Sequence, residues 1–249
     1  MSIDDNGLPR RVNREAKTQL TRLLAPLYPP HCLLCEQPAD NRRCPYLCNT
    51  CLQSLPRNHP ACPRCALPLQ QPQAPLCGAC LQRAPIWTSA HALWRYEAQA
   101  QWLIQHYKYA NAYYLDTCLA TLLGDYAQRQ LQGQFDAVVP VPMHPRRWVS
   151  RGFNQAQVLA QGVAAALALP LLAQPVLRIK NTPRFAAGQD KAARRKAIKG
   201  AFQVNADMPE RVLIVDDVKT TGATSEELAR VIKQAGAQQV SVLVLARTA

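Results

Sequence analysis

The sequence predicts an α/β fold: a mostly parallel sheet flanked by helices, behind a small cysteine-rich module near the N-terminus. Three observations predict it. Nine of the ten cysteines lie between Cys32 and Cys80. Residues 211–215 and 239–245 are short, largely apolar runs of the kind that form buried parallel strands. Between those runs lie a polar loop and a helix-like stretch, and the order strand, loop, helix, strand is that of a βαβ unit.

Taken along the chain, residues 1–30 read as a polar tail and a short amphipathic helix. Ala16, Leu20, Leu23 and Leu24 form its apolar stripe, and Pro26, Pro29 and Pro30 stop it. Residues 31–85 carry the cysteine pairs, are rich in proline and show little periodicity, so a metal must replace a hydrophobic core there. Residues 86–249 are expected to form the α/β domain. Within it 86–96 suits a strand, and 99–131 reads as helical with an interruption around Ala110 and Asn111. Residues 135–139 form a short buried strand that runs into Pro140-Val141-Pro142. Residues 154–169 read as a helix with Ala156, Leu159, Ala160 and Val163 on one stripe. Residues 178–200 look like a mobile basic loop leading to a strand near 201–204, and Thr224 or Ser225 is expected to cap a helix over 226–234.

Eight of the cysteines form four Cys-x-x-Cys pairs. Cys32/Cys35 and Cys48/Cys51 are twelve residues apart, and Cys62/Cys65 and Cys77/Cys80 eleven. Each set has the spacing of a four-thiolate zinc ribbon, so the simplest arrangement is two structural Zn2+ sites in series. A crossed arrangement, redox disulfides and a role for Cys44 as a substitute ligand stay open. Cys118 falls in a helical pattern and reads as core.

The net charge of +13 is concentrated. Residues 140–200 hold eleven Lys and Arg against one acid, a field suited to a diphosphate or a nucleic acid. There is no apolar run of about eighteen residues and no secretory leader pattern, so a cytoplasmic protein without membrane insertion is expected.

The segment Asp216-Asp217-Val218-Lys219-Thr220-Thr221-Gly222-Ala223-Thr224 follows the strand at 211–215. Its two carboxylates stand at the C-terminal edge of the sheet, where α/β ligand sites lie, and suit a vicinal diol. Small hydroxyl residues, one glycine and a following helix N-terminus suit a phosphate.

This segment resembles the PRPP-binding signature of type I phosphoribosyltransferases. From about Cys32 onward, the chain is similar to the ComF family, also called GntX-like. The resemblance rests on the cysteine module, Val139-Pro140-Val141-Pro142, Arg151-Gly152-Phe153-Asn154-Gln155 and the loop at 216–224, in that order. It implies a type I phosphoribosyltransferase-like fold and PRPP bound with Mg2+. The implied ligand residues are Asp216, Asp217, Lys219, Thr220, Thr221, Gly222, Ala223, Thr224, Val141, Arg151 and Asn154. Ala197 stands where a ComF-like chain has Asn. The resemblance further implies a role in DNA uptake and natural transformation, handling incoming single-stranded DNA alongside other competence proteins. The alternative is an active phosphoribosyltransferase of nucleotide or base metabolism, with no acceptor pocket legible in these residues. Lys108, in a Leu-Ile-x-x-x-Lys-Tyr pattern that ComF-like chains share, reads as packing more readily than as ligand.

Overall fold

A computed structural model describes residues 30–71, 74–109, 112–182 and 191–249, the side chains of 149–151 and 191 excepted. The expected N-terminal helix and the interruption at Ala110 and Asn111 lie outside these residues. Two compact units divide the chain, 1–54 and 55–249. The division falls between the two cysteine quartets.

In the first unit the chain turns sharply at Cys32-Leu33-Leu34-Cys35. The Cys32 amide donates to Gln37 O at 2.7 Å, and Glu36 takes a left-handed φ of 61°. Helix α1 (Asn49–Ser54) follows Cys48. The second unit repeats the design. Cys62 N donates to Leu67 O at 2.8 Å, Ala66 has a φ of 57°, and α2 (Gly78–Gln82) follows Cys77.

The rest of the second unit comprises β1 (Ser89–Arg95), α3 (Ala98–Tyr109), a short 3-10 turn, α4 (Asp116–Leu131) and β2 (Ala137–Pro140). Then come α5 (Pro145–Arg151), α6 (Gln155–Leu167), β3 (Val176–Arg178), α7 (Lys191–Ile198), β4 (Phe202–Val204), β5 (Arg211–Lys219), α8 (Ala223–Gln234) and β6 (Gln239–Arg247). Four strands form a parallel sheet in the order β1-β6-β5-β2, and β3 pairs antiparallel with β4. The central strands are buried on both faces: Val212 to Val215 and Val242 to Leu245 have no exposed side chain. That burial is why they read as unbroken apolar runs.

Three local expectations are corrected. β5 does not stop at Val215 but runs to Lys219, because β6 pairs with it as far as Arg247. The last helix starts at Ala223, with Gly222 at its cap position in a left-handed conformation (φ 82°), so neither Thr224 nor Ser225 caps it. Residues 191–198, expected in a mobile loop, form α7. The sequence Lys-Ala-Ala-Arg-Arg-Lys-Ala consists of strong helix formers, and this propensity outweighed the basic character on which the loop expectation rested.

Helices α4 and α6 meet at glycines. A Cβ on Gly162 would lie 2.5 Å from the Ala120 carbonyl oxygen, and one on Gly124 would lie 2.8 Å from Gly162 O. Backbone cannot retreat as a flexible side chain can. Gly162→Ala should therefore destabilise the fold by about 1–3 kcal/mol. In thermal denaturation that appears as a fall of roughly 2–4 °C per kcal/mol.

Candidate functional site

Parallel pairing sets the C-terminal end of β2 beside the middle of β5, with Pro140 opposite Val215. Val141 N continues the ladder, donating to Val215 O at 2.9 Å. The next residue of β5 is Asp216, so the end of β2 and the acid pair form one edge. Asn154 fastens this edge to a helix. Its Nδ2 donates to Val141 O at 3.1 Å, while its Oδ1 accepts from Ala156 N at 3.2 Å and caps α6.

Burial pushes the Asp216 carboxyl up to about 7, with the charge of Asp217 adding to the rise and Lys108 opposing it. Asp217 N donates to Asp216 Oδ1 at 2.9 Å. Lys108, near the end of α3, places Nζ 2.9 Å from Asp217 Oδ1, and both side chains are largely buried. Burial works against the Lys108 ammonium, yet Asp217 outweighs it and the pKa ends above the usual lysine range. The neighbouring Tyr107 donates to Asp116 Oδ1 at 2.8 Å and meets Phe153 edge to face at 5.8 Å, so the Phe153 turn holds the end of α3 in place.

Cations converge from another side. Arg178 ends β3 and donates to Thr182 Oγ1, and Arg147 of α5 donates to Thr182 O. Burial lowers the Arg178 guanidinium to about 10, Arg147 adds to the fall, and Asp216 opposes it. Two guanidiniums close enough to repel, beside an acid pair, suit a ligand carrying both hydroxyls and phosphates. On α7, Arg194 Nη1 donates to Thr220 Oγ1 at 3.2 Å, which brings a further cation to the loop before α8.

Each cysteine quartet gathers its sulfurs within 4.8 Å of one another: Cys32, Cys35, Cys48, Cys51 and Cys62, Cys65, Cys77, Cys80. Zinc sits about 2.3 Å from each thiolate, which makes a tetrahedron edge about 3.8 Å. Cys35 Sγ to Cys48 Sγ is 3.7 Å and Cys65 Sγ to Cys77 Sγ is 3.5 Å, so both quartets fit that metal. They pair in series, not crossed, and Cys44 belongs to neither quartet. Zinc closed by four thiolates has a structural role.

Residues 23–81 match the double zinc ribbon domain family. Competence protein F of Haemophilus influenzae is 35% identical over 213 residues, covering 81% of this chain and 90% of that protein. The chain belongs to the ComF family. DNA utilization protein YhgH of Salmonella typhimurium is 32% identical over 229 residues, covering 88% of this chain and 98% of that protein. Competence protein ComFC of Streptococcus pneumoniae is 25% identical over 205 residues, covering 81% and 87%. The parallel sheet with its flanking helices and the cysteine-rich N-terminal module are as the sequence leads one to expect.

Of the ComF residues singled out in the sequence, Asp216, Asp217, Val141 and Asn154 meet at one edge. Val141 and Asn154 use their polar groups on the protein itself and fix the loop. Thr221 Oγ1 accepts from Ala223 N at 3.4 Å, and Gly222 supplies the turn into α8, where Ala223 and Thr224 form the first turn. Arg151 ends α5, with its side chain outside the described residues. Lys219 is turned elsewhere, donating to Cys65 O at 3.2 Å with its ammonium 4.5 Å from the Trp87 ring centre. Lys108 and Thr182 join the site without having been singled out as ligands. For Lys108 the shared Leu-Ile-x-x-x-Lys-Tyr pattern was the available signal; for Thr182 there was none.

Proposed function

We propose that this chain binds PRPP, or a close phosphoribosyl relative, with Mg2+, and serves DNA uptake by handling incoming single-stranded DNA. The observation that carries the ligand is the acid pair within β5, which feels the charge of Arg178 and leads into the loop that opens α8. Asp216 and Asp217 would accept hydrogen bonds from the ribose hydroxyls and help to hold Mg2+. Thr220, Thr221, Gly222, Ala223 and Thr224 would cradle the 5-phosphate at the helix start. Arg147, Arg178 and Arg151 would face the diphosphate. DNA uptake is supported by relatives named for competence and DNA utilization, and a strand of DNA suits the exposed Arg195 and Lys196 of α7.

Isothermal calorimetry with PRPP, with and without Mg2+, tests the ligand; no heat in either titration would end this reading. For the second half, single-stranded DNA affinity should fall as salt rises. A slope of about −0.7 per phosphate contact is expected in a log-log plot.

The titration of Asp216 gives a pH dependence. Its carboxyl would titrate near 3.9 in the unfolded chain, but the folded site holds the proton up to about 7. Between those values the folded state binds more protons, so stability falls as pH rises across that window. The carboxylate that accepts hydroxyls prevails only above it. PRPP affinity should therefore climb from pH 6 to pH 8, and Asp216→Asn should flatten the profile in calorimetry.

A further inference from the structure

Lys219 and Arg247 end the adjacent strands β5 and β6 opposite one another, and both are buried. Two buried cations side by side are costly unless opposite charge lies close. The second cysteine quartet supplies it, since one Zn2+ held by four thiolates leaves two negative charges, which the two cations cancel. Both side chains reach the same atom of that quartet's backbone. Lys219 Nζ donates to Cys65 O at 3.2 Å, and Arg247 Nε donates to it at 3.4 Å. Arg247 Nη1 also donates to Lys219 O at 3.2 Å.

The contact continues into the phosphate loop. Trp87 is buried, its indole Nε1 donates to Arg64 O at 2.7 Å inside the Cys62–Cys65 turn, and its ring carries the Lys219 ammonium. Gly222 rests on this pair: a Cβ there would meet Trp87 Cη2 at 2.9 Å and Lys219 Nζ at 3.2 Å. We propose that Lys219 and Arg247 are the counter-charges of the second zinc centre, and that through Lys219 and Trp87 its occupancy holds the loop at 220–223 in shape. Lys219 is thus a positioning residue, which explains why a lysine inside the loop motif turns toward the ribbon. The link to PRPP rests on the reading above; the link between zinc and loop does not.

The test uses the full chain and needs no PRPP. Zinc release to a chromogenic chelator is followed alongside alkylation of the freed cysteines and amide exchange at 220–223. In Lys219→Met, the zinc of Cys62, Cys65, Cys77 and Cys80 should bind about 10–100-fold more weakly and leave first, as expected when a partner outside the ligand shell is lost. Zinc at the Cys32 quartet should keep its wild-type release rate. Lys219→Arg, which keeps the charge, should restore retention. In the wild-type chain, exchange at 220–223 should speed up as Cys62 to Cys80 become open to alkylation. Wild-type zinc retention in Lys219→Met, or loop exchange indifferent to loss of the second zinc, overturns the proposal. If Lys219→Met fails to fold, the Lys219→Arg and wild-type measurements still decide. PRPP calorimetry on the same samples separately reports whether the ligand reading fails.

Discussion

The double variant Asp216→Ala, Asp217→Ala should lose PRPP binding by calorimetry while the chain still carries two zinc ions. Hydrogen bonds to charged groups contribute about 1.5–3 kcal/mol each, so losing two removes roughly 3–6 kcal/mol. That corresponds to a fall of about 10²- to 10⁴-fold in affinity. Zinc content should not move, because the eight cysteines lie in other segments of the chain. Unchanged affinity in this variant would mean that the sugar binds elsewhere.

A second large effect is expected at Lys108. Its ammonium lies 2.9 Å from Asp217 Oδ1, and Asp216 also attracts it. Lys108→Met leaves two neighbouring carboxylates with no adjacent ammonium, and breaking a buried pair from one side costs about 3–5 kcal/mol. Urea denaturation should show that loss. Adding Asp217→Asn should recover a good part of it, because each partner is harmful chiefly when left without the other. If Lys108→Met unfolds at the wild-type midpoint, the pair contributes nothing to stability.

The parallel core was legible because Val212 to Val215 and Val242 to Leu245 are buried on both faces and are apolar throughout. The cysteine quartets were legible because ligand spacing in a ribbon is nearly fixed. Of the cationic half, the sequence showed the basic surplus over 140–200 but not how its members assemble. Arg147, Arg178 and Lys108 come from three separate elements, and only folding brings Arg147 and Arg178 to Thr182 and Lys108 to Asp217. Lys219 shows the converse. The loop motif suggests a phosphate ligand, but the strand continues through that residue and turns its side chain to Cys65 and Trp87. Where β5 ends depends on its ladder with β6, a pairing between distant residues that local propensity does not encode.

That ladder has a consequence for how a ligand arrives. Asp216 is matched with Val244 and Val218 with Ala246, so the acid pair is held by a neighbouring strand before any sugar is present. The sugar's hydroxyls would meet a surface already set, and little freedom would be surrendered on their side of the encounter. Residues 220–222 lie past the last rung, so the phosphate's side depends on a different support, the seat of Gly222 on Trp87 and Lys219.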